Sequence, residues 1–278
     1  MSVLRVGCVG LGNMGGHLAA NIARAGFDVA VFDVRPDAAE RFQSLGARIA
    51  TSPKDVAAEV DVLTVTVLND AQVDDVLFGQ QGALQSLKPG ATIVIHSTVS
   101  PESCRAAAHR AGGDGVLVID APLSGGEGAA REGALTLMIG GSPDAVAACA
   151  PVLEAVSARR FHVGDVGSGQ VAKLVNNLMG IVNRLVIAES LELAREAGLQ
   201  DDVVLDVVRS STGNSWQVEH WPDMQAIAAA STTGPEGMAL MAKKDLGLAL
   251  QLAEALKVDI PIVRTAHDHT ADMFSDKG

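Results

Sequence analysis

Lys173, Asn176 and Asn177 lie in the stretch GSGQVAKLVNN, residues 167–177. In a helix of about 3.6 residues per turn, Lys173 and Asn177 share one face. They place an amine and an amide on a helix that is otherwise apolar. Burying an amine is costly unless it is paired or used. Burial also lowers its pKa, so that it can pass a proton near neutrality. Lys173 is therefore either a general acid/base or a structural lysine that is satisfied in place or reaches solvent. The stretch alone leaves both readings open.

Two further stretches carry chemistry. DAPLSGG, residues 120–126, follows the end of a strand and presents the Ser124 hydroxyl and the unobstructed backbone N–H groups of Gly125 and Gly126. Such a turn can hold a carboxylate; a plain glycine-rich loop is the alternative. GLGNMG, that is Gly10, Leu11, Gly12, Asn13, Met14 and Gly15, follows the apolar run Val3–Val9 and precedes the helical LAANIARAG. Gly10 permits a tight turn, Gly12 the close approach of a pyrophosphate, and Gly15 the packing of helix on sheet. The pyrophosphate would sit on the helix N-terminus. Asp33 ends the next strand, where a carboxylate can accept both ribose hydroxyls of NAD and repel a 2′-phosphate. Arg35 would favour that phosphate, but the acid points to NAD. Asp33 as a turn residue before Pro36 is the alternative.

These groups need a sheet to hold them. Strands are expected at Asp28–Phe32, Ala47–Ile49, Val62–Leu68, Thr92–His96, Val116–Asp120, Leu135–Ile139 and Arg160–Val163. Among them, helices are expected ending over Glu40–Leu45, from Ser52 as cap with Pro53 at its first position, over Val73–Phe78 and from Pro101. Asn69 and Asp70 leave the C-terminal end of Val62–Leu68, the edge where ligands lie in such sheets, and Ser97 and Thr98 follow Thr92–His96. His96, which ends a strand near that edge, and His109 are candidate bases, with an ordinary structural histidine as the favoured reading of His96; His162, which closes the last strand, is read as structural. From Gly169 to Ala197 only Gly180 interrupts helix formers. A helix that long and apolar needs cover on several sides, with Glu189, Glu192 and Glu196 on its wetter side. Helices follow at Asp201–Arg209, Met238–Ala255 and from Pro261, and the break Ser210–Trp216 bears one large aromatic. The fold class is α/β: a Rossmann-type doubly wound domain over residues 1–163, then an all-helical domain over residues 164–278 for cleft closure and oligomer contacts.

Composition narrows the function. The 278 residues include no tyrosine, which removes its hydroxyl as the acid. A formal charge of −12 without a basic run argues against a nucleic-acid partner. Cys8, Cys104 and Cys149 are scattered and odd in number, as free thiols in a reducing compartment would be. No His/Cys spacing indicates a metal. With a strand starting almost at once there is no signal peptide, and charge interrupts the Ala-rich runs, so a cytoplasmic protein without a membrane span is expected.

Four blocks in this order resemble the 3-hydroxyisobutyrate dehydrogenase branch of the β-hydroxyacid dehydrogenases: GLGNMG, DAPLSGG, GSGQVAKLVNN and MAKKDLGLAL at residues 241–250. The resemblance covers nearly the whole chain and implies a helical second domain like that of 6-phosphogluconate dehydrogenase. It implies that Lys173 is the catalytic acid/base, that Asn177 holds substrate and orients the amine, and that Ser124, Gly125 and Gly126 hold its carboxylate. Lys244 would line cofactor and substrate, and Asp245 would support that arrangement at the cofactor side. Trp216, with Ser215, would lie near the substrate; Leu68, Asn69 and Thr98 would line the cofactor. The implied reaction is NAD-dependent oxidation of a small 3-hydroxy acid, foremost 3-hydroxyisobutyrate to methylmalonate semialdehyde in valine catabolism, by a homodimer or homotetramer. Burial and Lys244 would lower the amine's pKa against the pull of the substrate carboxylate, so oxidation is expected to rise toward alkaline pH.

Two departures from the family stand out: Leu68-Asn69 replaces a common Leu-Pro pair, and the chain stops at Gly278 without a short acidic tail. Rival activities are reduction of tartronate, glyoxylate or succinic semialdehyde, with NADPH as an option, and oxidation of L-serine. A non-catalytic NAD-binding module is the rival from another class; it needs the glycine loop but not the amine, the amide and the carboxylate turn together.

Overall fold

The computed structural model describes residues 4–223 and 234–270; the chain end at Gly278 lies outside them. The chain divides into two compact units, Met1–Lys173 and Leu174–Gly278. The division falls inside a helix, beyond the expected limit at residue 163, because the first turn of that helix is bonded into the first unit.

In the first unit, parallel strands run in the order β3 (Arg48–Ile49), β2 (Asp28–Phe32), β1 (Arg5–Val9), β4 (Val62–Val65), β5 (Thr92–Ile95), β6 (Leu117–Asp120). The chain begins in the middle and winds outward both ways, so a crevice opens between the C-terminal ends of β1 and β4. β4 and β5 are buried at every position, as VLTV and TIVI require of strands covered on both faces. Alternate residues feed two cores: Val6, Cys8, Val94 and Ile119 enter one, Leu63, Val65, Ile93 and Ile95 the other. Helix α1 (Asn13–Arg24) supplies the first core with Leu18 and Ile22. After α2 (Pro36–Glu40), helices α3 (Pro53–Ala57), α4 (Asp70–Phe78) and α5 (Pro101–Gly112) supply the second. Ser52 and Ser100 cap α3 and α5 through their hydroxyls, each before a proline.

Beyond β6 the sheet turns mixed. β7 (Leu123–Ser124) and β6 both run antiparallel to β8 (Leu135–Gly140), and β9 (Ser157–Gly164) is parallel to β8. The sequence reading omitted β7, α6 (Gly126–Glu132) and α7 (Pro143–Val156). α7 contains Pro151, a residue that argues against a helix interior. Cys8, Cys104 and Cys149 are buried free thiols.

Helix α8 (Ser168–Glu196) leaves the first unit and continues into the second. By length and composition alone it would suffice to cross a membrane. Arg184, midway along it, is buried with its guanidinium over the Trp221 ring, and a charge there would be costly in a bilayer centre. The second unit adds α9 (Asp201–Arg209), α10 (Trp216–Glu219), α11 (Gly234–Leu256) and α12 (Pro261–Asp268). Its helices meet in small clusters: Leu185 with Leu246 and Val263, and Leu191 with Leu205 and Trp221. Glu189, Glu192 and Glu196 are exposed, as their wetter side requires.

Candidate active site

The glycine loop bridges β1 and α1. Gly10 has φ 88°, and a Cβ there would overlap the Thr66 carbonyl oxygen after β4. A Cβ on Gly15 would overlap the Gly10 carbonyl and come within 3.0 Å of Thr66 Cβ. Gly12 differs: its only neighbour within 4 Å would be the Arg35 guanidinium, at 3.9 Å. The space over Gly12 is thus the cradle that a side chain would fill. It lies at the start of α1, whose first turn has no side-chain cap and no acid. A pyrophosphate fits that donor set.

The six loop residues do not contribute alike. Leu11 and Met14 pack their side chains against the core. The Leu11 N–H donates to Asp33 Oδ2 at 2.7 Å, so it offers no donor to a phosphate. Arg41, which the sequence did not single out, donates to the Leu11 carbonyl at 2.7 Å and closes the loop from outside. Asp33 Oδ1 accepts from the Arg35 backbone N–H at 2.9 Å and from Arg35 Nε at 3.2 Å. Burial pushes the Asp33 carboxyl up, but these donors outweigh it and hold it below the usual carboxylate range. An ionised carboxylate at the end of β2 fits a ribose diol; the neighbouring Arg35 tempers its repulsion of a 2′-phosphate.

Across the crevice, Leu68 is exposed, and Asn69 Oδ1 accepts from the Gln72 N–H at 3.0 Å as the cap of α4. Thr98 lies half-buried in the loop after β5. Ser124 ends β7 half-buried, and Gly125 and Gly126 are exposed with φ 132° and 72°. Both glycines hold conformations that L side chains rarely adopt, which keeps the turn's backbone bare.

Lys173 is buried, with 9% of the residue exposed. The first turn of its helix is fixed by two residues absent from the sequence-based list. Asp120, at the end of β6, accepts from the Gly167 N–H at 2.6 Å and the Gln170 N–H at 2.7 Å. Gln170 is fully buried; its Nε2 donates to the Ser97 carbonyl at 2.9 Å, and its Oε1 accepts from the Val99 N–H at 3.2 Å. Burial drives the Asp120 carboxyl up to about 6 in spite of the two N–H groups.

In the second unit, Asn177 Nδ2 donates to Asp245 Oδ2 at 2.6 Å, and Lys244 Nζ lies 3.1 Å from Asp245 Oδ1. The second contact is an ion pair by distance without hydrogen-bond alignment, since Oδ1 has no hydrogen-bond partner. Asp245 thus orients the amide and neighbours the ammonium. Trp216 is 60% exposed and stacks on His220 with ring centroids 4.1 Å apart, while Ser215 caps α10.

Residues 5–164 match the family described as the NAD binding domain of 6-phosphogluconate dehydrogenase. Residues 167–278 match the one described as NAD-binding of NADP-dependent 3-hydroxyisobutyrate dehydrogenase. A 3-hydroxyisobutyrate dehydrogenase of Pseudomonas aeruginosa is 36% identical over 258 residues, covering 91% of this chain and 87% of that one. An L-threonate dehydrogenase of Cupriavidus necator is 33% identical over 263 residues, covering 94% and 88%. The structure of a 3-hydroxyisobutyrate dehydrogenase of Mycobacterium tuberculosis with L-serine aligns with a TM-score of 0.85 at 29% identity, covering 99% of this chain and 95% of that one. With a nucleotide cradle in the first unit and likeness along nearly its full length, the chain belongs to the β-hydroxyacid dehydrogenase family, in the 3-hydroxyisobutyrate dehydrogenase branch, and is an oxidoreductase.

Proposed function

We propose that the protein oxidises a small 3-hydroxy carboxylic acid with NAD, that 3-hydroxyisobutyrate is the foremost substrate, and that Lys173 is the general acid/base. The observation that carries this reading is a buried lysine on a helix whose first turn is anchored at the ligand edge of a dinucleotide-binding sheet. A bound nicotinamide would supply the hydride acceptor for the carbon bearing the hydroxyl. Neutral Lys173 Nζ takes the hydroxyl proton as the carbonyl forms, and its ammonium returns that proton in the reverse direction. Ser124 and the backbone N–H groups of Gly125 and Gly126 hold the carboxylate. By the family resemblance Asn177, oriented by Asp245, together with Lys244 and Trp216, takes part in binding the substrate. Gly10, Gly12, Asn13 and Gly15 cradle the pyrophosphate through the loop backbone, Asp33 binds the adenosine ribose, and Leu68, Asn69 and Thr98 border the nicotinamide half. Methylmalonate semialdehyde is the product, as valine catabolism requires.

L-threonate is the second reading, favoured by a relative of that name at nearly the same identity. The test is a panel of 3-hydroxyisobutyrate, L-threonate and L-serine, each with NAD and with NADP, read as cofactor reduction. A kcat/KM for 3-hydroxyisobutyrate with NAD above every other pair is expected. Tight NAD binding with no turnover on any acid would instead favour a non-catalytic NAD-binding module.

We infer also that a second copy of the chain covers α8. Val175, Met179, Val186 and Leu193 are exposed and recur at intervals of four, seven and seven residues, which places them on one stripe. The expected form is a homodimer or homotetramer, and a monomer at micromolar concentration in sedimentation would remove it. The buried thiols suit the cytoplasm, which cell fractionation checks.

A further inference from the structure

Lys173 can serve a reacting hydroxyl only if its helix holds one register against the loops that receive the cofactor. What sets that register is visible in the first unit. The Gln170 side chain is fully buried, and its carboxamide meets the two backbone groups that bracket Thr98: Nε2 donates to the Ser97 carbonyl, and Oε1 accepts from the Val99 N–H. The same Ser97 accepts through Oγ from the Val67 N–H at 2.8 Å. One network therefore joins the loop after β4, the loop after β5 and the first turn of α8. Lys173 lies three residues, just under one turn, beyond Gln170.

We propose that Gln170 is a positioning residue for this oxidoreductase: its carboxamide locks the helix that presents the Lys173 amine to the cofactor-lining segments Val67–Asn69 and Ser97–Val99. This inference rests on the role proposed for Lys173. The residue type is specific to the task. A single planar group must offer one donor and one acceptor, which Gln does and an apolar chain of equal length does not. A buried carbonyl and a buried N–H lose their partners if the amide is removed, so the loop must shift to recover them. Asp120 holds the helix end by its backbone, whereas Gln170 ties it to the loop, so the two are not redundant. A displacement of about 1 Å at the amine is enough to cost about 10²-fold in rate.

The test uses the full chain with NAD and the best acid from the panel. Gln170→Met keeps length and removes the two hydrogen bonds to the loop backbone along with the carboxamide's contact with the Cys104 thiol. It is expected to lower kcat at saturating substrate by roughly 10- to 100-fold, with KM for the acid and the Kd for NAD changed by less than about threefold. Gln170→Glu gives a sharper reading. Protonated, the introduced carboxyl can donate to the Ser97 carbonyl and accept from the Val99 N–H; ionised, it loses the donor. The ionisable groups against it are Asp120 on β6 and Cys104 on α5, with Asp70 on α4 and Arg105 on α5 acting on Cys104 beyond them, and Lys173 three residues along its own helix. Its kcat relative to the parent should be near one at low pH and fall as pH rises, while NAD binding holds. A side chain that served stability alone would show losses that follow the folded fraction, measured in parallel by circular dichroism. The proposal is overturned if Gln170→Met retains parental kcat, if its loss matches the unfolded fraction, or if the Gln170→Glu ratio stays well below one even at low pH. Should Gln170→Met not fold, the Gln170→Glu profile decides alone. Lys173→Ala is run beside them: if it keeps turnover, the role of the amine fails, and that result is distinct from a normal Gln170→Met in an enzyme that Lys173→Ala has silenced.

Discussion

Replacing His96 by Asn and Asp120 by Asn, one at a time, is expected to tilt the pH dependence of stability in opposite directions. His96 follows β5 and Asp120 ends β6, and both are buried. His96 Nδ1 lies 2.7 Å from the Ala121 carbonyl, which only accepts, so the proton sits on Nδ1. Nε2 is buried without a hydrogen-bond partner. A second proton there would meet no acceptor, and burial lowers the imidazole pKa from 6.5 to about 4. As pH falls below 6.5 the unfolded chain takes this proton first, so stability present above 6.5 drains away toward about 4. At ~1.4 kcal/mol per pH unit, that gap is worth ~3 kcal/mol. Asp120 acts the other way. Burial raises its carboxyl from 3.8 to about 6. The folded chain takes the proton first, so stability is highest below 3.8 and is lost as pH rises through about 6, again by ~3 kcal/mol. In the parent the two trends nearly cancel between pH 4 and 6. His96→Asn, which keeps a donor for Ala121, should gain ~3 kcal/mol relative to the parent on moving from neutral to about pH 4. Asp120→Asn should lose a similar amount over the same interval. The assay is urea unfolding at both pH values, read as variant minus parent so that all other carboxylates drop out. Two variants that run parallel to the parent would refute the assignment of both charges.

The amine and the nucleotide cradle give the remaining tests. Lys173→Ala should reduce kcat by roughly 10²–10⁴-fold, the scale of lost general acid–base catalysis; near-normal turnover would sink the assignment. Asp33→Asn should raise the Kd for NAD by about 10- to 100-fold, as a charge-assisted bond worth ~1.5–3 kcal/mol is lost, and leave kcat at saturating NAD little changed. An unchanged Kd in calorimetry would remove Asp33 from the ribose. Gly12→Ala should fold with the parent's melting temperature, because among the described residues a Cβ there meets only the Arg35 guanidinium, at an ordinary contact distance of 3.9 Å, yet bind NAD weakly. Gly15→Ala should lower the melting temperature itself, because its Cβ overlaps the Gly10 backbone, and overpacking of that kind costs ~1–3 kcal/mol.

Where the chemistry is local, the chain announces it. The cradle is legible because Gly10, Gly12 and Gly15 act within six residues and need only the strand before them and the helix after. Helix α8 is legible for the same reason: helix formers run from Ser168 until Gly198 takes φ 86° beyond its end. The mixed edge of the sheet is not, because Leu123–Ser124 is too short to show a period and Pro151 mimics a break in α7. Asn69 illustrates a partial reading. Its place after β4 points to the ligand edge, but the polar group that the position demands is also spent on capping α4.

The anchoring of Lys173 lies at the far end of this scale. Asp120 reaches the helix across 47 and 50 residues, and Gln170 reaches the β5 loop across 71 and 73. Nothing near Gln170 in the sequence calls for a carboxamide; its reason appears only when the loop after β5 lies beside it. The sequence did carry one trace, an uncharged polar residue in the first turn of a helix that then turns apolar. A buried amide there must satisfy a donor and an acceptor at once, and only backbone from another element can supply both. The group proposed to react can therefore be named from its own residue type, whereas the group proposed to hold it in place can be named only from what it faces.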